Sequence, residues 1–260
     1  MGYYSFREEI SMKPDLKASS FPYLILGAGG LGFFLQRMLY ATGTDEKGLL
    51  IRGHWAAVSL VILTALTLAA IFLAGRKASP SSNTPAASIP GAIGCLVGAA
   101  ALFIQSTPPE IPDTIYKAEQ AATLAAQLSL CVLAFCRFTG KKSPFGFCGI
   151  LCLFLAIRMV GQYRIWCSVP QLMDYALFLL AHVALMIFAY QLAARDAGFG
   201  NPRSLLFWGL TSLYLCCCAP CARQDRIFLL MLGIWVFTAL PRFLPETDSG
   251  DSNQTQEVSP

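Results

Sequence analysis

Eight polar residues lie within or beside long apolar segments, where an ionisable side chain is costly to bury and marks a functional candidate by default. They are Arg37, Glu119, Gln120, Gln127, Arg158, Gln162, Asp174 and His182. Guanidinium and carboxylate groups can hold a charged ligand, and amide and imidazole groups can form hydrogen bonds. If these side chains converge on one polar cavity, they predict the binding of a small polar ligand. The alternative is that they hydrogen-bond neighbouring helices or extend separately to the membrane surface.

Two of the apolar segments carry polar or aromatic residues at spacings of four, three and four, which places each set on one helical face. The first stripe is Tyr116, Gln120, Thr123 and Gln127, flanked by Glu119, and the second is Gln171, Tyr175, Phe178 and His182. His182 falls near the middle of its segment, where it could contact a ligand. A neutral imidazole bonded to a neighbouring helix is the competing interpretation.

Arg158 is predicted to be paired with an acid, because an arginine at the centre of a membrane helix costs about 2.5–3.5 kcal/mol on insertion scales. Asp174 and Glu119 are the two candidate partners at a similar depth. Asp174 is preferred, since a short loop makes its helix the neighbour of the Arg158 helix. Snorkelling of Arg158 towards the membrane surface is the alternative.

A glycine-rich motif at residues 27–32 (GAGGLG) matches the dinucleotide fingerprint G-x-G-x-x-G. That fingerprint works only between a strand and a helix of a βαβ unit, and no such unit follows. The preferred interpretation is a helix face of small residues, with Ala28 and Gly32 at small-xxx-small spacing, that lets another helix approach closely.

The chain has ten cysteines, and most of them lie in apolar segments, where a free thiol behaves as a small hydrophobic group. Cys218 and Cys221 form a C-x-x-C, and Cys167 lies in another loop at the same end, so a thiol–disulfide pair is chemically feasible. Inert packing is preferred for this pair. No H-E-x-x-H, G-x-S-x-G or P-loop occurs, so we predict no catalytic residue, no metal and no cofactor.

The composition indicates a membrane protein. Hydrophobic residues make up 55% of the chain and charged residues 13%, about half the charged share of a soluble protein. The net charge of +4 is small and its basic residues are scattered, which argues against nucleic-acid binding. The lipid bilayer is therefore the expected partner.

The fold class predicted is an all-α polytopic transmembrane bundle of about eight spans, since each needs roughly 20 apolar residues. The predicted spans are Phe21–Ala41, His54–Gly75, Pro90–Ser106, Ala118–Phe138, Pro144–Ile165, Gln171–Ala194, Ser204–Ala219 and Ile227–Leu244. Around this bundle (residues 21–244) we expect a polar cytoplasmic head at 1–20 with no cleavable signal peptide, a flexible linker at 76–89 and a disordered tail at 245–260.

Lysine and arginine are distributed unevenly over the connecting segments. Segments on the side of the N-terminus hold 11 of them and the opposite side holds 6, which predicts both termini in the cytoplasm. In this orientation the candidate polar residues lie in the outer half of the membrane.

The stretch Phe34-Leu35-Gln36-Arg37, the polar turn at residues 39–50, His54 and the turn at residues 198–203 together resemble a group of uncharacterised bacterial multi-pass membrane proteins. The resemblance covers much of the chain and implies a bacterial cytoplasmic membrane, but no mechanism. The leading functional hypothesis is a small-molecule permease or ligand-binding membrane component. The alternatives are a non-catalytic structural or regulatory membrane protein and, more weakly, a thiol-dependent membrane enzyme.

Overall fold

The computed structural model describes residues 21–43, 51, 53–77, 88–104, 113–141, 146–166, 176–219 and 226–240. Within these ranges the chain is 92% helical, with eight α-helices and no strand. They are α1 (Phe21–Thr42), α2 (Trp55–Lys77), α3 (Ile89–Ile104), α4 (Asp113–Thr139), α5 (Phe147–Trp166), α6 (Ala176–Asp196), α7 (Pro202–Cys218) and α8 (Arg226–Ala239). The all-α helical bundle is thus confirmed.

Each helix coincides with one predicted span, and every end differs by five residues or fewer. The differences of five residues are at the starts of α4 (Asp113 against Ala118) and α6 (Ala176 against Gln171) and at the end of α8 (Ala239 against Leu244). Residues 113–117 are polar apart from Ile115, so a rule based on apolar content omits them although they belong to the same helix. The head, most of the linker and the tail lie outside the described residues.

Four helices, α1, α2, α4 and α6, are long and apolar enough to cross a membrane. The apolar helices α3, α5 and α8 are shorter. These features make the protein membrane-embedded, while the count of eight spans stays a prediction. The 17-residue helix α7 is buried on nearly every side, including the continuous run from Gly209 to Cys216.

The helices form a closed circuit in which α3, α4, α5, α6, α7 and α8 each contact the next, and α8 returns to α3. α1 and α2 pack against each other and against α7, outside this circuit. The apolar core lies between α7, α8 and their neighbours, where Trp235 and Phe188 meet edge to face with ring centroids 5.5 Å apart. Each pair of consecutive helices in contact is joined by a short connection, which makes the two helices antiparallel and brings the end of one beside the start of the next.

The turn between α6 and α7 shows how local sequence fixes this packing. Gly198 has a φ of +87°, a left-handed conformation that glycine adopts without strain. The amides of Gly198 and Phe199 donate to the carbonyls of Arg195 and Ala194, which is the Schellman pattern that ends a helix. Asn201 then accepts a hydrogen bond from the Arg203 amide at 3.0 Å and begins α7.

The glycine motif lies entirely inside α1, which excludes the strand–turn–helix context of a dinucleotide site. A methyl group on Gly29 would come within 2.6 Å of Cβ of Cys217, and one on Gly32 would overlap the Cys218 sulfur. Gly27 and Gly30 face open space. The predicted close helix approach therefore exists between α1 and α7, where Gly29 joins the predicted Gly32 in making it. Ala28 is partly buried against the core.

Candidate functional site

One end of the bundle collects charged and polar side chains from three consecutive helices. It is formed by the first turns of α4, α6 and α8 and by the last turns of α5. Glu119 lies six residues after the start of α4 and His182 six after the start of α6, roughly 9 Å along each axis. Arg158 lies eight residues before the end of α5, roughly 12 Å along it. All three are therefore inside the bundle at a similar depth.

The centre of this site is an ion pair between Arg158 and Glu119. Nη1 of Arg158 donates to Oε1 of Glu119 at 2.7 Å, and the two side chains are 0% and 3% exposed. Such burial is tolerable because each charge compensates the other. Removing one partner of a buried pair costs about 3–5 kcal/mol, whereas replacing both by apolar groups is often neutral.

Phe228 of α8 connects the ion pair with His182. The Arg158 guanidinium carbon lies 4.9 Å from the Phe228 ring centroid, within the range of a cation–π contact. The His182 ring stacks on the same phenyl group, with centroids 6.0 Å apart and planes inclined by 27°. Nδ1 of His182 is 3.0 Å from the Phe178 carbonyl oxygen, so Nδ1 carries the hydrogen of that contact.

Gln162 completes the group, because it follows Arg158 by one helical turn on α5 and is buried. We call Glu119, Arg158, Gln162, His182 and Phe228 the polar cluster. It contains a permanent cation, an anion, an amide and an imidazole, and the cation and the imidazole lie against one aromatic ring. This set of donors and acceptors suits the recognition of a small polar molecule.

The polar stripe on α4 is rearranged relative to the prediction. Glu119, Thr123 and Gln127 are the buried residues, at steps of four, and the Thr123 hydroxyl donates to the Glu119 carbonyl oxygen at 2.7 Å. Gln120 is exposed on the helix surface, and its amide donates to the Tyr116 hydroxyl at 2.6 Å. The stripe that faces the bundle interior thus begins with Glu119 and omits Gln120.

The structure connects three of the eight candidate residues through direct contacts and Phe228, namely Glu119, Arg158 and His182. Gln162 is buried one turn from Arg158 on the same helix. Gln127 is buried two turns below Glu119 on α4, whereas Gln120 and Arg37 face outward. On α1 it is the neighbour of Arg37, Gln36, that is buried. Asp174 lies outside the described residues, as do Gln171 and Tyr175 of the second stripe.

The prediction that Arg158 is paired is confirmed, and the partner that the described residues provide is Glu119, the second of the two candidates. Because α4 and α5 are also in contact, the argument from neighbouring helices applied equally to Glu119. Phe228 was missed. A single phenylalanine in an apolar helix gives no sequence signal that distinguishes a contact with a buried cation from ordinary core packing.

The eight described cysteines carry thiols, with no disulfide bond among them, and most are buried. Cys218 lies against α1, and its sulfur is 3.5 Å from the Gly29 carbonyl oxygen, which accepts its hydrogen. Cys148, near the opposite end of the bundle, is 3.9 Å from a carboxylate oxygen of Asp196. Cys167 and Cys221 lie outside the described residues. For Cys218 this environment supports packing, since reactive thiols are usually partly exposed.

Two further features bear on what the site can bind. Among the described residues, no group of three or more His, Cys, Asp or Glu side chains could hold a metal ion. An open groove of about 350 Å³ lies on the surface between α4 and α5. Its lining is apolar and consists of Thr114, Ile115, Ala118, Ala156, Ile157 and Val160. Ala118 and Ile157 directly precede Glu119 and Arg158, so the groove borders the cluster on the outside of the bundle.

Comparison with known proteins adds no family to this description. No family model, no curated protein and no solved structure matches the chain. The resemblance to bacterial multi-pass membrane proteins therefore stays a prediction from the residues that carry it.

Proposed function

We propose that the protein is a ligand-binding membrane protein, of the small-molecule permease or membrane-component type, and that the polar cluster is its binding site. The observation that carries this proposal is that Arg158 and His182 both contact Phe228 while Arg158 also pairs with Glu119, so that charged and polar side chains of three consecutive helices meet at one residue of a fourth. Gln162 is buried one turn from Arg158. Scattered polar residues that only joined pairs of helices would not need a common position or depth.

Burial at this site is expensive, which supports a role beyond cohesion. A buried ion pair is often no more stabilising than a well-packed apolar pair, so its presence is weak evidence for stability alone. Ionisable residues inside a membrane protein typically mark ligand or ion pathways. The free-energy cost of burying these groups is incurred when the protein folds. A ligand that contacts the guanidinium, the amide and the imidazole therefore does not have to offset it on binding.

A second candidate function is a non-catalytic structural or regulatory membrane protein. The direct 2.7 Å pairing of Arg158 with Glu119 favours it, together with the contact of His182 with a carbonyl of its own helix. In that case the cluster joins α4, α5, α6 and α8 and binds nothing. The two functions make opposite predictions for ligand-induced stabilisation.

The test is a thermal-stability screen of the purified full-length protein in detergent. The probes are amino acids, sugars, nucleosides and small carboxylic acids, tested singly. A ligand present at one hundred times its Kd stabilises the folded state by about 2.7 kcal/mol, which is easily detected as a rise in Tm. We expect at least one class to raise Tm in a concentration-dependent manner.

Two matched variants assign any such effect to the cluster. Gln162→Leu changes a buried amide of the cluster, and Gln120→Leu makes the same change on the exposed face of α4. We expect the ligand-induced rise in Tm to be lost in Gln162→Leu and kept in Gln120→Leu. Stabilisation that is equal in both variants, or absent for every probe, would contradict the proposal and favour the structural function.

We further propose that the protein resides in a bacterial cytoplasmic membrane with both termini in the cytoplasm, which places the cluster in the outer half. The 11-to-6 basic bias supports this orientation. Fusions of alkaline phosphatase and of a fluorescent protein to the C-terminus test it. We expect an inactive phosphatase and a bright fluorescent protein, and the reverse pair of results would overturn the orientation.

A further inference from the structure

We propose that one end of the bundle binds an anionic phospholipid. Its headgroup lies between Arg76 of α2 and Arg203 of α7, and its acyl chains pack against the aromatic pair Phe72 and Phe207. This surface lies at the end of the bundle opposite the polar cluster, and the proposal does not depend on what that cluster binds. It follows from charge, from the contact between α2 and α7 and from the length of α2.

This end of the bundle is basic. It is formed by the ends of α2, α4 and α6 and by the starts of α3, α5 and α7. The described ranges place one acid there, Asp196, and six basic residues, which are Arg76, Lys77, Arg137, Lys141, Arg195 and Arg203. The connecting segments 78–87 and 142–145 add one more base, Lys142, and no acid. A surface with this excess of positive charge attracts anions.

Two of these arginines lie at the contact between α2 and α7. A Cβ atom on Gly75 would be 3.9 Å from the carbonyl oxygen of Arg203, so the two backbones are close where α2 ends and α7 begins. Arg76 directly follows Gly75, and both arginines are exposed. A guanidinium presents a planar set of donors that suits phosphate oxygens, so this pair can hold a phospholipid headgroup.

An aromatic pair lies one helical turn closer to the middle of the bundle. Phe72 precedes Arg76 by four residues, Phe207 follows Arg203 by four, and the two rings meet edge to face with centroids 6.4 Å apart. The Arg76 guanidinium carbon is 4.7 Å from the Phe72 centroid. Phe72 is 49% exposed, which leaves apolar surface for an acyl chain. Cations beside exposed apolar rings fit an anionic amphiphile better than a soluble anion.

The spacing along the helix axis fits the layers of a bilayer. Four residues of an α-helix rise roughly 6 Å, and the headgroup region extends roughly 5–8 Å beyond the hydrocarbon on each side. The 23 residues of α2 span roughly 35 Å, which exceeds the ~30 Å of the hydrocarbon core. Arg76 therefore reaches the headgroup level when Phe72 lies at the edge of the hydrocarbon.

The turn between α6 and α7 places a further aromatic side chain at this end. Phe199 is 91% exposed and precedes Arg203 by four residues. In bulk water nearly the whole ring would have to be hydrated, whereas the membrane interface accommodates aromatic side chains. The turn therefore suits a position among lipid headgroups.

The first experiment measures the affinity of the full-length protein for phosphatidylglycerol relative to phosphatidylcholine. The protein is reconstituted in phosphatidylcholine vesicles that contain increasing fractions of phosphatidylglycerol with brominated acyl chains, which quench nearby tryptophans. Trp208 packs against Phe207, with ring centroids 5.2 Å apart, and reports lipid at this surface. A Trp208→Phe variant identifies its share of the signal. We expect brominated phosphatidylglycerol to quench Trp208 at lower mole fractions than brominated phosphatidylcholine.

Three matched variants assign the preference to the surface. A basic residue near an anionic membrane surface strengthens binding about fivefold. We expect Arg76→Gln and Arg203→Gln each to reduce the preference by that factor, and the double variant to reduce it about twenty-five-fold. Arg37→Gln removes an exposed arginine near the opposite end of the bundle and should leave the preference unchanged. Equal affinity for the two lipids in wild type, or an equal loss in Arg37→Gln, would overturn the proposal.

The second experiment uses wild type alone and does not depend on a variant that folds. Raising the salt concentration shortens the Debye length from about 10 Å at 0.1 M to about 3 Å at 1 M. We expect the preference for phosphatidylglycerol to decrease over this range, whereas quenching by brominated phosphatidylcholine stays constant. A preference that is independent of salt would contradict a headgroup held by exposed arginines.

An acidic segment of another protein is the competing partner for a basic surface, and polyglutamate serves as its probe. Polyglutamate has no acyl chain and cannot use the aromatic pair. If wild type shows no preference between the two lipids, while polyglutamate raises Tm of wild type but not of Arg76→Gln/Arg203→Gln, the surface binds a protein and the lipid assignment is wrong. A preference for phosphatidylglycerol that both arginines maintain would confirm the lipid.

Discussion

Two regions of the bundle are held together in opposite ways. The seam between α1 and α7 contains Gly29 and Gly32 against Cys217 and Cys218, and it depends on the absence of side-chain volume. The polar cluster depends on the presence of charge, since Arg158 and Glu119 are buried together at 2.7 Å. The two helix contacts therefore fail by different substitutions, one by adding a methyl group and the other by removing a charge.

This difference separates packing from binding. A seam of small residues is complete when two helices touch, and it offers a ligand nothing to replace. The ion pair has partners that another molecule can replace. We therefore expect function to reside in the cluster, and the seam to act only on folding.

The largest effect is expected at Arg158. Arg158→Leu leaves Glu119 as an acid without its cation and should lower the free energy of unfolding in detergent by about 3–5 kcal/mol. Arg37→Leu is the matched control, because Arg37 is exposed on α1 and its removal leaves no buried partner. If the two variants lost equal amounts of unfolding free energy, Arg158 would contribute no more than a surface arginine. The polar cluster would then not depend on its buried charge.

A smaller effect is expected from added volume in the seam. Gly29→Ala places a methyl group 2.6 Å from Cβ of Cys217, a position that no side-chain rotation can relieve. Overpacking of this kind costs about 1–3 kcal/mol. Gly30→Ala is the neighbouring control, since it faces open space and gains helix propensity of up to about 1 kcal/mol. Thermal unfolding should show a lower Tm for Gly29→Ala and an unchanged or higher Tm for Gly30→Ala, each relative to wild type. Equal changes in Tm would disprove the close approach.

The smallest effect is expected at a neutral hydrogen bond between α2 and α7. Tyr214→Phe removes the hydroxyl that lies 2.9 Å from the Thr64 hydroxyl. Interhelical hydrogen bonds in membrane proteins contribute about 0.6 kcal/mol on average. Tyr163→Phe on the exposed face of α5 serves as the control and should be neutral. A loss at Tyr214 as large as that at Arg158 would mean that charge is not what distinguishes the cluster.

Much of the fold follows from apolar length alone. Eight apolar runs coincide with the eight helices of the described residues, because hydrocarbon requires each segment to satisfy its own backbone hydrogen bonds. The ends of the helices are harder to predict from the sequence. α4, for example, begins with a polar turn at Asp113. The GAGGLG motif correctly predicted a close helix contact, but it did not single out Gly29, whose Cβ position lies 2.6 Å from Cβ of Cys217.

The two members of the buried ion pair were predictable from the sequence, but the geometry of the candidate site was not. Because burying an unpaired charge is unfavourable, the sequence indicated that Arg158 requires an acidic partner. Glu119 was one of the two candidates. Which face of α4 points inward depends on the rotation of that helix, and a stripe of spacing four, three and four selected Gln120 when Glu119 was the buried residue. Phe228 belongs to a helix distant in sequence, and only the packed bundle places it against Arg158.

The most direct test of the central claim is a double-mutant cycle on the ion pair. Unfolding free energies are measured in detergent for wild type, Glu119→Gln, Arg158→Leu and the double variant. If the two side chains are directly coupled, the double variant loses less than the two single losses combined, by about 0.5–3 kcal/mol. The account predicts that the double variant is more stable than Arg158→Leu alone. Strictly additive losses would contradict it and would separate Arg158 from Glu119.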